Sequence, residues 1–589
     1  MGRAISNLSG SSPSNNNLCS TLLMEQEGNS IIEGTVDHRG QPAQRSSSGG
    51  WRSACFIIGV EMTERFAYYG ISLNLITYLT GHLGQSTAAA AVNVNVLAGT
   101  ATLLPLLGAF VADSFLGRFR TIIAASVIYV LGLGLLTLSA VLNSVDGSDC
   151  KNTKTLKPCS PPWYLVLLFF CSLYLIAVGV GGHKPCVQAF GADQFDPQDP
   201  KENKAKSSFF NWWYFGLSVG ALTTLIVSVY IQDNLSWSLG FGIPCCAMIV
   251  SLLVFLLGSR TYRYTIRKND KNPFTRIFRV VGRAIKRNWQ NTTPAVEFAN
   301  EEHGSMSFQN SKQFKFLDKA LLRPDGSMED QNDCSIRDVE ETRALLRLAP
   351  IWVTGLAYAV VFAQTSTFFT KQGATMERTF VSGLQIPAAS LQSFIGVAII
   401  LFVPLYDRIF VPISRSVTGK HSGITILQRI GAGMVLSILS MVTAALVEKK
   451  RLGTAEKYGL VDQPNVTLPI SVWWLIPQYV LCGLADVLAI VGLQEFFYDE
   501  VPEELRSLGM AFYHSLIGVG SFLSSFLVSV INKATAGGGR ESWFANNLNR
   551  AHLDYFYWFL AGLSAVGFSA YLHFANKHIH NRKYKVDVL

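Results

Sequence analysis

Three ionisable side chains crowd five positions of an otherwise apolar stretch, Glu61-Met62-Thr63-Glu64-Arg65-Phe66-Ala67-Tyr68-Tyr69-Gly70. An ionised group at the centre of a bilayer costs on the order of 2.5–3.5 kcal/mol even on the lenient insertion scale, so such a cluster needs compensation. The spacing supplies it. Positions i, i+3 and i+4 share one helix face, which lets Glu61, Glu64 and Arg65 point together into a bundle interior, where the arginine can pair with either acid. A carboxylate binds a proton more tightly when buried and less tightly beside an arginine, so movement of the arginine loads or releases a proton. The competing reading is an inert buried salt bridge that fixes helix packing, for which the additional acid is superfluous.

A second basic group, Lys184, stands in Val180-Gly181-Gly182-His183-Lys184-Pro185, where the glycines permit close helix approach and the proline interrupts the hydrogen-bond ladder. Its expected partner is Asp486, in Gly483-Leu484-Ala485-Asp486-Val487. A pair there would latch two halves of the molecule, and separating it would leave two unpaired buried charges until a proton or an anionic substrate replaced the lost partner. The blander alternatives are snorkelling of Lys184 to an interface and a helix-to-helix hydrogen bond at Asp486.

Other chemistry fails on context. Gly216-Leu217-Ser218-Val219-Gly220 spells the serine-hydrolase elbow, but it lies in an apolar helix with no strand before it. The chain has no HExxH, no phosphate-binding GxxxxGK[ST] and no dinucleotide fingerprint. Its ten cysteines include no CxxC pair, and Cys55, Cys171, Cys186, Cys245, Cys246 and Cys482 read as small apolar fillers. No nucleophile, base and oxyanion set can be assembled, so the expectation is a protein that is not an enzyme and calls for no cofactor or metal.

The elements that position these charges are membrane helices. Of the 589 residues 49% are hydrophobic and only 15% charged, against about 25% charged in soluble proteins. Apolar runs recur at 53–80, 89–112, 119–142, 163–186, 209–231, 239–259, 348–370, 385–410, 423–446, 470–494, 507–532 and 556–576. Each is long enough to cross a hydrocarbon core of about 30 Å at a rise of about 1.5 Å per residue. The expected organisation is a disordered cytoplasmic tail (1–50), a six-helix bundle (51–259), a cytoplasmic linker (260–345), a second six-helix bundle (346–576) and a short cytoplasmic tail (577–589). Residues 1–50 lack the basic start and apolar core of a cleavable signal peptide.

The net charge of +9 reflects membrane orientation rather than a nucleic-acid partner. Arg118 and Arg120, the linker bases from Arg260 to Lys271, and Arg582, Lys583 and Lys585 share one side if both termini are cytoplasmic; Lys151, Lys154, Lys157, Lys449, Lys450 and Arg451 fall on the other. On that outer side Cys150 and Cys159 share a loop, where a disulfide and two free thiols are both open, and Asn465-Val466-Thr467 forms a glycosylation sequon. The sequons at Asn7 and Asn291 would face the cytoplasm, and Asn234 lies too close to the membrane. In the linker, Phe274, Ile277, Phe278, Val281 and Ile285 alternate with Arg276, Arg279, Arg283, Lys286 and Arg287 at helical spacing, the pattern of a helix lying flat on the inner leaflet.

Taken together these residues resemble the plant nitrate transporter and peptide transporter family, a branch of the proton-coupled oligopeptide transporters with the major facilitator fold. The resemblance covers about residues 51–576 and is carried by the Glu61-x-x-Glu64-Arg65-Phe66 motif with Tyr68-Tyr69-Gly70, Ala112-Asp113-Ser114-Phe115-Leu116-Gly117-Arg118, Phe190-Gly191-Ala192-Asp193-Gln194-Phe195-Asp196, and Asn547-Leu548-Asn549 ahead of Leu553-Asp554-Tyr555-Phe556-Tyr557. It implies an all-α membrane protein with about twelve transmembrane helices in two six-helix bundles. It also implies proton coupling at Glu61, Glu64 and Arg65, and a cavity and gate at Lys184 and Asp486, the last in place of the family's commoner glutamate. Tyr68, Tyr69, Tyr214, Phe362 and Gln364 are the accompanying substrate-site candidates.

Two departures bear on substrate. The fifth helix carries Trp213-Tyr214 and then Ser218 where peptide carriers have asparagine, and Phe362 stands where the family's nitrate carrier has a histidine. Thr121 follows Arg118 at the spacing of that carrier's phosphorylated threonine, which implies a regulatory kinase, against the ordinary reading of a buried loop threonine. The expectation is a symporter in the plasma or vacuolar membrane whose partners are protons, the lipid bilayer and a small anionic or zwitterionic substrate such as nitrate, a peptide or a conjugated hormone. The rival is a passive anion channel or nutrient-sensing receptor of the same fold.

Overall fold

The computed structural model describes residues 31–152, 161–196, 198–265, 273–289, 314–321, 334–379, 385–418, 424–501, 506–536 and 541–586. Among them, eleven helices are long and apolar enough to cross a membrane. The remaining span is the first, Gly50–Ser72, whose mean hydropathy is lowered by the very charges singled out above. The protein is thus an integral multi-pass membrane protein with about twelve spans, as its hydropathy predicts. Several helices outrun their apolar runs: the third continues to Asn152 and the ninth covers Ile426–Lys457. At a rise of about 1.5 Å per residue such helices exceed the hydrocarbon core and project their polar ends into water.

The first and seventh spans, which open the two bundles, are broken near their outer ends. Gly50–Ser72 is followed by a short helix Leu75–Gly81, and Ala349–Phe362 by Phe368–Ala374. The two outer pieces meet, Lys371 Nζ donating to Thr80 Oγ1 at 3.1 Å. Hydrogen bonds that join the bundles gather at this same end. Gln392 Nε2 donates to the Leu73 carbonyl at 3.2 Å, the Thr87 amide to Asn546 Oδ1 at 3.1 Å, Asn95 Nδ2 to Ser524 Oγ at 3.0 Å and Ser525 Oγ to the Val92 carbonyl at 3.1 Å.

The opposite end of the first bundle is held differently, by charges within that bundle. The tail expected to be disordered through residue 50 instead forms strands from Ile31 onward. β1 (Ile31–Val36) pairs antiparallel with β2 (Pro42–Gln44) and with β3 (Tyr264–Thr265), at the start of the linker. Behind the sheet Arg263, 1% exposed, donates to Glu202 Oε2 at 2.6 Å and to the carbonyls of Ser48 and Gln194 at 3.0 Å each. Arg45 reaches Asp196 at 2.7 Å and Arg118 reaches Asp193 at 2.5 Å. The sequence run from Phe190 to Asp196 is therefore a junction that ties tail, second-to-third turn and sixth span together, and its acids were invisible to hydropathy as binding partners for the tail.

Two further expectations change. The linker helix Pro273–Trp289 turns Val280 and Ala284 into a small core with Leu317, Ala320 and Val339, so part of its apolar surface is covered by the linker itself; Phe278 and Ile285 remain exposed. Among the outer bases that weakened the orientation rule, Arg451 is fully buried. It makes a two-pronged ion pair with Glu448, at 2.7 and 2.9 Å, and donates to Asn549 Oδ1 at 2.8 Å and to the Leu548 carbonyl at 2.7 Å. It braces the loop before the last span, and Lys450 lies 3.2 Å over the Trp474 ring.

Removing one partner of a buried pair strands the other, so Arg263→Ala is expected to destabilise the first bundle by about 3 kcal/mol. A thermal melt of the purified protein in detergent checks this, and an unchanged midpoint refutes the brace.

Candidate functional site

The charged face of the first span closes on itself as its spacing predicts. Arg65 Nη2 and Nε donate to Glu61 Oε1 at 2.9 and 3.1 Å, and Nε lies 3.4 Å from Glu64 Oε2. Glu61 is 1% exposed, Glu64 0% and Arg65 6%, so one guanidinium is shared by two buried carboxylates. Such a shared base holds only one full negative charge in balance, and the remaining acid needs a proton or another cation.

The fifth span fixes where this cluster sits. A Cβ on Gly220 would fall 2.4 Å from the Met62 carbonyl oxygen and 3.0 Å from Arg65 Cβ, so only glycine lets the two backbones approach this closely. The Gly216–Gly220 run that mimics a hydrolase elbow is a helix-packing surface. Thr224 Oγ1 adds a hydrogen bond to the Phe66 carbonyl at 3.0 Å.

Lys184, half-buried on the fourth span, has its Nζ 6.0 Å from the centre of the Tyr68 ring and lies within electrostatic reach of Glu61, Glu64 and Arg65. Tyr68 and Tyr69 meet edge to face at 5.6 Å. The structure thus gathers the first and fourth spans' candidates into one neighbourhood.

The expected latch between Lys184 and Asp486 is not formed: among the described residues the two make no ion pair. Asp486 instead accepts a hydrogen bond from the Tyr358 hydroxyl on the seventh span, within the second bundle, and is 8% exposed. Tyr358 belongs to the same bundle as Asp486, so this bond does not depend on how the two bundles meet. Phe362 packs beside the same cluster, against Tyr358, Ala485 and Ala489. Gln364 does not line an opening. It is fully buried, donating to the Val360 carbonyl at 2.7 Å and to Ser524 Oγ at 3.0 Å, the same hydroxyl that Asn95 of the first bundle reaches. Gln364 therefore belongs to the seam between bundles.

His514, on the eleventh span, went unnoticed in the sequence. It lies within electrostatic reach of both Lys184 and Arg65, so the second bundle contributes a titratable group to the charged neighbourhood of the first. A lone histidine in an apolar helix carries no spacing signal; only the approach of the two bundles gives it a role.

The remaining candidates are peripheral. Thr121 is 5% exposed and lies in the first turn of the helix Arg118–Asn152, not in a loop, its hydroxyl donating to the Gly117 carbonyl at 2.9 Å. Asn465 is exposed in the loop after the ninth span. Cys159 and the side chains of Cys150 and Tyr214 lie outside the described residues. Among the described residues no group of His, Cys, Asp or Glu could hold a metal ion.

Comparison with known proteins places this geometry. Residues 119–544 match the POT family, PTR2. The chain is 62% identical over 559 residues to the Arabidopsis thaliana protein named NRT1/PTR FAMILY 5.10, covering 95% of this chain and 98% of that one. It is 58% identical over 556 residues to NRT1/PTR FAMILY 5.13 of the same plant, with 94% and 97% covered. Among solved structures it is similar in fold to the POT family transporter PepTSo, with a TM-score of 0.67 and 20% identity over 90% of this chain and 98% of that one. It is likewise similar to an auto-inhibited POT family peptide transporter, with a TM-score of 0.66 and 21% identity over 89% and 97% of the two chains.

A side chain at Gly220 has backbone on its far side and cannot be accommodated by rotation. Gly220→Leu is expected to cost about 1–3 kcal/mol and to abolish transport by displacing Arg65. Uptake normalised to protein reaching the membrane is the measurement, and wild-type uptake in this variant counts against the close approach.

Proposed function

Because the chain belongs to the POT family, as a relative of the NRT1/PTR proteins and hence a transporter rather than an enzyme, we propose that it is a proton-coupled symporter of a small anionic or zwitterionic substrate, working by alternating access. The observation that carries this reading is one guanidinium, Arg65, shared between two buried carboxylates. With Glu61, Glu64 and Asp486 set against Arg65 and Lys184, the unprotonated neighbourhood repels anions. One bound proton makes it neutral and a second makes it positive, so protonation precedes anion binding. A proton on Glu61 or Glu64 releases Arg65 or Lys184 to engage the substrate's anionic group.

The bundles meet at the end that the basic loops assign to the outside, while Lys184 and Asp486 stand unpaired with each other. We take this as the inward-facing arm of the cycle, with the outer path shut by the Lys371–Thr80 and Asn95–Ser524 contacts. Closing the cytoplasmic side would bring Lys184 toward Asp486 and require Tyr358 to share or yield its acceptor. Phe362 in place of the histidine expected of a nitrate carrier, and Ser218 in place of the asparagine expected of a peptide carrier, favour an organic anion over either.

Proteoliposomes with imposed pH gradient and voltage, offered nitrate, dipeptides and hormone conjugates in turn, test the class; substrate that never accumulates above equilibrium identifies a passive channel instead. In the same assay Glu64→Gln is expected to abolish proton-driven accumulation while retaining part of the substrate counterflow. Lys184→Ala is expected to weaken substrate affinity about tenfold or more, the loss of one charge-assisted contact. Normal accumulation by Glu64→Gln overturns the coupling role, and unchanged affinity in Lys184→Ala removes it from the site.

A further inference from the structure

Between the first, third and fourth spans lies a group of polar side chains that the pairing with Arg65 leaves without hydrogen bonds. Glu64, Tyr129 and His183 are each 0% exposed. Among the described residues, neither Glu64 oxygen, neither His183 ring nitrogen nor the Tyr129 hydroxyl has a hydrogen-bond partner, and Glu61 Oε2 is likewise without one. These groups are neighbours: Tyr129 and His183 both lie within electrostatic reach of Glu64 and Arg65. The helices are drawn together at this level by Gly179, where a Cβ would fall 2.7 Å from Tyr129 Cβ, and His183 follows one helical turn later on the same face.

Buried polar groups are nearly always satisfied by protein or by ordered water, and a stable internal water needs two to four polar partners. One orphan atom would be a local imperfection. Orphans contributed by three separate helices to one place meet the requirement for hydration. The other ionisable groups within electrostatic reach of this place are Glu61, Arg65 and Tyr68 of the first span and Lys184, next to His183 on the fourth; the second span meets the fourth at Gly181 through Leu104 and Gly108.

We propose that Glu64, Tyr129 and His183 enclose a buried hydrated site that carries a proton between the Glu64 carboxyl and the His183 imidazole. The carboxylic acid gives its proton to a bound water as that water gives one to a ring nitrogen. The products are a carboxylate, which Arg65 is placed to neutralise, and an imidazolium beside it; reversal restores both neutral groups, and the water is regenerated each time. Tyr129 orients the water through its hydroxyl and gains or loses no proton. The proton transfer rests on the coupling role proposed for Glu64, whereas the hydration does not.

Hydroxyl-radical labelling of the purified protein by water radiolysis separates the two. Tyr129 and His183 are expected to be modified far faster than Phe169 and Phe241, which are equally buried in an apolar core. Modification of both as slow as that of the two phenylalanines overturns the hydrated site. For the relay, His183→Gln and Tyr129→Phe are each expected to move the pH midpoint of proton-driven uptake by about one unit. A pH profile unchanged in both variants overturns the relay. Normal accumulation by Glu64→Gln would overturn the coupling reading and the relay with it, while the labelling of Tyr129 and His183 would still decide the hydration.

Discussion

The structure is organised around the cost of putting charge where water cannot follow. Glu61, Glu64 and Arg65 lie on one face of a membrane helix, and no arrangement of that helix alone can satisfy them all, because one base serves two acids. The neighbouring helices are built to the consequence. Gly220 brings the fifth span against the backbone of the first at this level, Lys184 brings a second base from the fourth, and His514 faces both bases from the other bundle. A pair separated by about 3 Å in a buried site is strong only while both members are present, and removing one leaves the other's charge uncompensated.

The two ends of the molecule are held by different physics, which suits a transporter. At the tail and linker end of the first bundle, Arg263, Arg45 and Arg118 bind acids and carbonyls within that bundle and its tail. At the outer end of the second, Arg451 does the same with Glu448 and Asn549. Between the bundles, beside the charged donor Lys371 on Thr80, stand neutral hydrogen bonds such as Asn95 to Ser524 and Gln392 to the Leu73 carbonyl. Each neutral bond is worth about 1 kcal/mol net, less than a buried ion pair.

Most of the fold was legible in one dimension. Hydropathy marks the spans, and the single span it scores weakly is the one that charge spacing marks instead. The linker helix was legible as a helix, but its partner was not: an apolar stripe records that something covers it, and Leu317 and Val339, distant in sequence, share that task with whatever meets Phe278 and Ile285. The strands of the tail were missed because Ser-rich and Gly-rich composition speaks against a core, whereas β1 is held by pairing with Tyr264 and Thr265 and by the arginines behind it.

By itself the sequence determined the membrane class, the two bundles and the internal pairing of Glu61, Glu64 and Arg65, since all of these depend on composition or on neighbours within one helical turn. Only the tertiary structure decided that Asp486 bonds Tyr358 rather than Lys184, that Gln364 belongs to the seam, and that Tyr129 and His183 stand unpaired beside Glu64. The reason is distance. Coulomb and hydrogen-bond energies are settled over a few ångströms between residues more than a hundred positions apart, and that separation is set by how two bundles lean on each other, which no local pattern encodes.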